Sequence, residues 1–69
     1  MITPNNLKNT RISLGLSQNS VAISAGIYLR LYQYYEVGEK VPSVHTAIKL
    51  AKVLNTTVEE LFPLNYDKQ

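Results

Sequence analysis

The sequence predicts an all-α domain of five short helices, and three observations carry that prediction. Apolar residues recur at three- and four-residue spacings, with capping residues ahead of the runs and glycine, asparagine or proline behind them. β-Branched residues are scattered, and neither Asn-Gly nor Asp-Gly is present to turn a hairpin. The 69 residues, 45% hydrophobic and 17% charged, suit one folded domain and no second.

Each element has its own signals. Thr3-Pro4 places an N-cap before a proline at the first helical position; Leu7, Arg11 and Leu14 then share one face, and Gly15 stops the helix. Ser17 caps a second, short helix with Val21, Ala22 and Ala25 inward and Gly26 as its left-handed exit. A third helix spans about Tyr28 to Glu36. Its stripe is Tyr28, Leu31, Tyr32 and Tyr35, and Gly38 closes it. Pro42-Ser43 starts a fourth helix, with Val44, Ala47, Ile48, Ala51 and Leu54 inward and Asn55 as a left-handed stop. Thr57-Val58-Glu59-Glu60 reads as a capping box for a fifth helix that buries Val58 and Leu61 and ends at Pro63. The expected domain is residues 3–63, with 64–69 a short C-terminal tail.

Composition excludes several function classes. The chain has no cysteine and one histidine, so a disulfide scaffold and a Cys-based zinc site are ruled out. His45 has no ligand-spaced neighbour to make a metal site. Ser17, Ser20 and Ser24 have no base and orienting group beside them, so the expectation is a non-enzyme without cofactor. No run approaches the roughly 18 apolar residues of a membrane span, and Met1 to Asn6 lacks the regions of a signal peptide. A cytoplasmic location is expected. Charge is unevenly placed: Lys8, Arg11, Arg30, Lys40, Lys49 and Lys52 face only Glu36 and Glu39 through position 52, whereas Glu59, Glu60 and Asp67 follow. The cationic part suits an anionic partner.

The second and third helices, joined at Gly26, have the makings of a helix-turn-helix. Ala22 lets the two helices approach closely, and Gly26 takes positive φ without a Cβ clash. The second helix of such a unit fits the major groove of DNA.

Here the chain resembles the phage Cro/repressor-type helix-turn-helix domains, the xenobiotic-response-element (XRE) family of bacterial regulators. The resemblance rests on Leu7-Lys8-Asn9-Thr10-Arg11, Gly15 to Ala22, Ala25-Gly26-Ile27, Tyr35 to Lys40, Pro42-Ser43-Val44, Ala47 to Asn55 and Val58 to Phe62, together covering about residues 5–62. It implies the lambda-repressor-like fold and a set of roles. Leu29, Arg30, Gln33 and Tyr34 match groove-facing positions of the recognition helix. Gln18, Ser17, Tyr28, Lys40 and Arg11 match phosphate contacts, and Arg11 with Glu36 matches a structural ion pair between helices 1 and 3. Chemically, Leu29 suits a thymine methyl, Arg30 the O6 and N7 of guanine, and Gln33 an adenine or a phosphate. Four positions depart from the family pattern: Tyr28 stands where a capping Ser, Thr or Asn is usual, Leu29 where a polar or basic reader is common, Val37 where Asn is usual, and Thr10 where a core leucine is usual.

Other features favour structural readings. Tyr32 and Tyr35 are expected in the core with their hydroxyls at the rim, whereas Tyr34 points outward. Lys49 and Lys52 are expected to form a solvated face. A chain this short buries only about 60% of its unfolded surface, so an oligomer interface adds needed apolar burial. The expected homodimer runs through Asn55 to Tyr66, with Val58, Leu61, Phe62 and Leu64 at the interface; the alternative folds Phe62 back under helix 1.

The functional expectation is a transcriptional regulator that binds double-stranded DNA sequence-specifically. It is expected to be a repressor, occupying a near-palindromic operator as a homodimer. Two rivals stand beside it: a protein-interaction module on the same fold, using Leu29, Tyr34 and Val37 toward a partner protein, and an antitoxin or restriction-controller protein.

Overall fold

The computed structural model describes residues 4–63. Among them are five helices and no strand: α1 Leu7–Ser13, α2 Gln18–Ala25, α3 Leu29–Val37, α4 Val44–Val53 and α5 Val58–Leu61. α2 lies at the centre, packed on both α3 and α4; α1 rests on α3, and α5 on α4.

Local chemistry sets most boundaries. The hydroxyls of Ser17, Ser43 and Thr57 accept from the backbone N–H of Ser20, Thr46 and Glu60 at 3.0, 3.2 and 3.2 Å, which caps α2, α4 and α5. Gly15, Gly26 and Gly38 all take positive φ after α1, α2 and α3, and Asn55 does so at φ 55 after α4. Only half of the expected capping box forms. Glu60 Oε1 accepts from the Thr56 hydroxyl at 3.3 Å rather than reaching the Thr57 N–H.

The start of α1 corrects the expectation of a Thr3-Pro4 cap. Pro4 lies outside the helix and Thr3 outside the described residues. The turn is made instead by Asn5, whose Oδ1 accepts from Leu7 N–H at 2.9 Å while its Nδ2 donates to the Tyr35 carbonyl at 2.8 Å. The second bond ties the start of α1 to α3, so a tertiary contact fixes where the helix begins. Asn6 likewise ties the same segment to α5, through its N–H to the Leu61 carbonyl and its Nδ2 to the Glu60 carbonyl.

The core comprises Leu7, Val21, Ala22, Ala25, Tyr32, Tyr35, Leu50, Ala51, Leu54 and Leu61, with Ala47 buried beside it. Four inward assignments fail. Leu14 is exposed because it caps the end of α1 rather than continuing its buried face. Tyr28 is 85% exposed: it is the extended N-cap of α3, so it does not share the helical phase of Tyr32 and Tyr35. On α4, Val44 and Ile48 face outward, and the buried stripe is Ala47, Leu50 and Ala51. α4 carries two overlapping apolar stripes, and contact with α2 and α5 selects the second.

No helix among the described residues is long and apolar enough to cross a membrane.

Candidate nucleic-acid interface

The site is built on α2, the turn at Gly26, and α3. Ala22 is buried at the crossing, and the turn closes through Ile27 N–H to the Ala22 carbonyl at 3.0 Å and Gly26 N–H to the Ile23 carbonyl at 3.1 Å. Gly26 holds φ 71, which a side-chain-bearing residue adopts only with strain. At the other end of α3, Glu39 N–H bonds back to the Tyr34 carbonyl at 3.0 Å and Gly38 takes φ 84. Both ends of α3 are thereby fixed, although Tyr28 supplies no side-chain cap bond.

A polar clamp fixes its rotation. Arg11 donates from Nε to Glu36 Oε2 at 2.7 Å, from Nη2 to Glu36 Oε1 at 3.3 Å and from Nη1 to the Leu16 carbonyl at 2.9 Å. The Tyr32 hydroxyl donates to Glu36 Oε2 at 2.7 Å, and Gln18 Nε2 to Glu36 Oε1 at 2.8 Å. Gln33 Nε2 then donates to Gln18 Oε1 at 3.1 Å. The Glu36 side chain is 3% exposed, yet each of its oxygens accepts two bonds, so the buried carboxylate is fully satisfied.

The electrostatics follow from this geometry. Burial alone would push the Glu36 carboxyl up, but the bonds from Arg11, Tyr32 and Gln18 outweigh it and hold the group below its ordinary value. The hydrogen bond to Glu36 raises Arg11 further. Burial, and then the hydrogen bond to Glu36, raise the Tyr32 phenol well above an ordinary tyrosine. The clamp is therefore charged across the neutral range, with a neutral phenol beside it.

With the inner face of α3 held, its outer face presents the expected readers together. Leu29 and Arg30 are exposed on the first turn, and Gln33 and Tyr34 follow half-buried one turn on. Tyr34 does not stand free: the Lys40 Nζ lies 5.0 Å from its ring centroid, a cation–π contact that places an ammonium at the end of the strip. Of the expected phosphate contacts, Tyr28 and Lys40 are exposed; the exposed Ser17 hydroxyl caps α2. Gln18 and Arg11 are half-buried within the clamp. The expected Arg11–Glu36 pair is present.

Sequence reasoning missed three parts of this site. Tyr32 uses its hydroxyl inside the clamp rather than at the rim, Gln18 and Gln33 are bonded to each other, and Asn5 anchors α1 to α3. Only the Asn5 turn had a local signal, an asparagine two residues before the first apolar helical position. Of the expected interface residues, Val58 and Phe62 are half-buried. Leu61 is 0% exposed and spent in the core, so it has no surface for a partner, and Leu64 lies outside the described residues. No group of three or more His, Cys, Asp or Glu able to hold a metal ion occurs among the described residues.

Comparison with known proteins locates this arrangement. The helix-turn-helix family model HTH_3 matches residues 7–61. The chain is similar to the cryptic phage CTXphi transcriptional repressor RstR of Vibrio cholerae, 34% identical over 55 residues. That match covers 80% of this chain but 49% of the repressor, so the chain spans about half that relative's length. Among solved structures it is similar to the restriction-modification controller protein C.AhdI from Aeromonas hydrophila, with TM-score 0.77 and 32% identity over 83% of this chain and 86% of that one. It is also similar to the biofilm master regulator SinR in complex with DNA, with TM-score 0.72 and 25% identity over 78% and 87% of the two chains.

Proposed function

This chain belongs to the helix-turn-helix family, and on that premise we propose that it is a transcriptional regulator that binds double-stranded DNA and acts as a repressor. One observation carries the reading: α3 is clamped from behind through Glu36 while Leu29, Arg30, Gln33 and Tyr34 line its free face. A helix held in this way enters the major groove as a rigid body. Arg30 reads guanine, Leu29 packs on a thymine methyl, and Lys40 and Tyr28 hold the flanking backbone. The likeness to a phage repressor and to a regulator solved with DNA supports this, and the likeness to C.AhdI supports a controller role on the same surface.

The regulator acts as a homodimer. Val41, Val44, Val58 and Phe62 border an apolar groove between the start of α4 and α5, of about 160 Å³, and a second copy covers it. The two-fold axis then sets two α3 helices about 34 Å apart on successive major grooves. Selection from a random double-stranded DNA pool, with titration of the enriched sequence at two salt concentrations, tests both parts. A two-fold symmetric site and a steep fall of log K with log salt are expected. Weak binding to every sequence alike would move the reading to a protein-interaction module using the exposed Tyr28, Leu29 and Val37.

A further inference from the structure

A second surface lies at the other end of α2 from its Ser17 cap. The last turn of α2 and the outer edge of α4 enclose a shallow depression of about 360 Å³, lined by Ile23, Ala25, Gly26, Lys49, Lys52 and Val53. We propose that this depression docks an acidic amphipathic helix of a partner protein. An apolar side chain of that helix seats on Ile23 and Val53, and two of its carboxylates meet Lys49 and Lys52.

Ile23 is the apolar element of this surface. Its helix neighbours Val21, Ala22 and Ala25 are buried, yet Ile23 is 69% exposed and nothing among the described residues covers it. Solubility does not require an isoleucine there, and covering it gains the ordinary apolar transfer energy. The second part is charge. Lys49 and Lys52 are exposed, no ion pair among the described residues involves either, and no acidic side chain lines the depression. Glu36 is committed to the clamp, Glu39 lies in the α3–α4 connection, and Glu59 and Glu60 are on α5. The C-terminal ends of α2 and α4 each contribute about half a negative charge, which leaves about half of the charge on the two ammoniums uncompensated.

Spacing selects a helix as the occupant. Lys49 and Lys52 are three residues apart on α4, a rise of about 4.5 Å, and carboxylates three residues apart on a facing helix have the same rise. A nucleic-acid backbone satisfies the lysines but leaves Ile23 and Val53 in water. The lining residues belong to α2, its Gly26 cap and α4, and none is on α3, so the outer face of α3 remains free while the partner is bound. The inference stands independently of the DNA-binding reading.

The test uses the full chain with labelled methyl groups. It is titrated with a short helical peptide carrying leucines one turn apart flanked by glutamates, and with the same peptide bearing lysine for each glutamate. Saturable shifts of the Ile23, Ala25 and Val53 methyls are expected with the acidic peptide alone, weakening as salt is raised. K49E with K52E should weaken binding by about tenfold or more, since two exposed pairs become repulsions. I23Q should weaken it while leaving double-stranded DNA affinity unchanged; all three positions are exposed, so the variants keep the fold. Equal response to both peptides, shifts centred on the Leu29 methyls, or concentration-dependent shifts without peptide would each overturn the proposal. So would loss of DNA affinity in K49E/K52E with no peptide binding by the unaltered chain.

Discussion

Gln33 donates from its Nε2 to the Oε1 of Gln18 at 3.1 Å, joining the outer face of α3 to the first residue of α2. Since Gln18 in turn donates to Glu36, the outer face of α3 and the buried ion pair form one hydrogen-bonded unit. An amide on the outer face of α3 is therefore oriented before any ligand arrives, which lowers the ordering cost of binding there.

Losses of DNA affinity in Q18A and Q33A should be non-additive. Residues in one network couple by about 0.5–3 kcal/mol, whereas independent sites add to within about 0.3–0.5 kcal/mol. A double-mutant cycle by fluorescence anisotropy on the selected site measures this, and strict additivity would mean that the two glutamines act separately.

E36Q should be destabilising and should flatten the acid limb of the stability curve. The Glu36 carboxyl is lowered in the folded state, so its contribution is complete above the ordinary carboxylate pKa of about 4.3 and is lost as pH falls through the folded value. Removing one partner of a buried pair costs about 3–5 kcal/mol, and the partly exposed Arg11 side chain brings this nearer 2–3 kcal/mol. Urea unfolding from pH 7 to pH 3 is the measurement; parallel curves for the two proteins would remove Glu36 from the acid limb.

The alkaline limb belongs to Tyr32. Its phenol is raised in the folded state, so the stabilisation is complete below the unfolded tyrosine pKa of about 10 and declines as pH rises toward the folded value. Y32F should lose about 1.5–3 kcal/mol at pH 7, the worth of a hydrogen bond to a charged group, and should lack this share of the loss above pH 10. Thermal unfolding from pH 8 to pH 11 checks it.

On the DNA side, R30A should cost about 1–3 kcal/mol and relax base preference at one position. K40A should weaken all sequences about equally and reduce the salt slope by about 1. Competition among operator variants at two salt concentrations separates the two effects, and a neutral R30A on the cognate site would overturn the placement of α3 in the groove.

The two apolar stripes of α4 differ in energy. L50A should cost about 2–5 kcal/mol, a large share of the stability of so small a domain. I48A on the outward side should change it by no more than about 0.5 kcal/mol in the monomer. Denaturant titration at low protein concentration ranks them, and equal losses would contradict the buried stripe.

By itself the sequence determined what is local. Ser17, Ser43 and Thr57 cap helices because a hydroxyl reaches an N–H three residues on, and Gly15, Gly26, Gly38 and Asn55 end them because few residues tolerate positive φ. Ala22 and Ala25 fix the close crossing of α2 and α3, and the outward placement of Leu29, Arg30, Gln33 and Tyr34 follows from helical phase once that crossing exists. Tertiary structure decided the rest. Pro4 yields the helix start to Asn5 because Asn5 bonds a carbonyl 30 residues away. Leu50 displaces Val44 and Ile48 from the core because two stripes of similar hydrophobicity on α4 are separated only by which one α2 and α5 cover. Tyr32 and Gln18 gather on Glu36, with Gln33 bonded behind Gln18, because a buried carboxylate recruits the donors within reach, and reach is a property of packed helices rather than of sequence spacing.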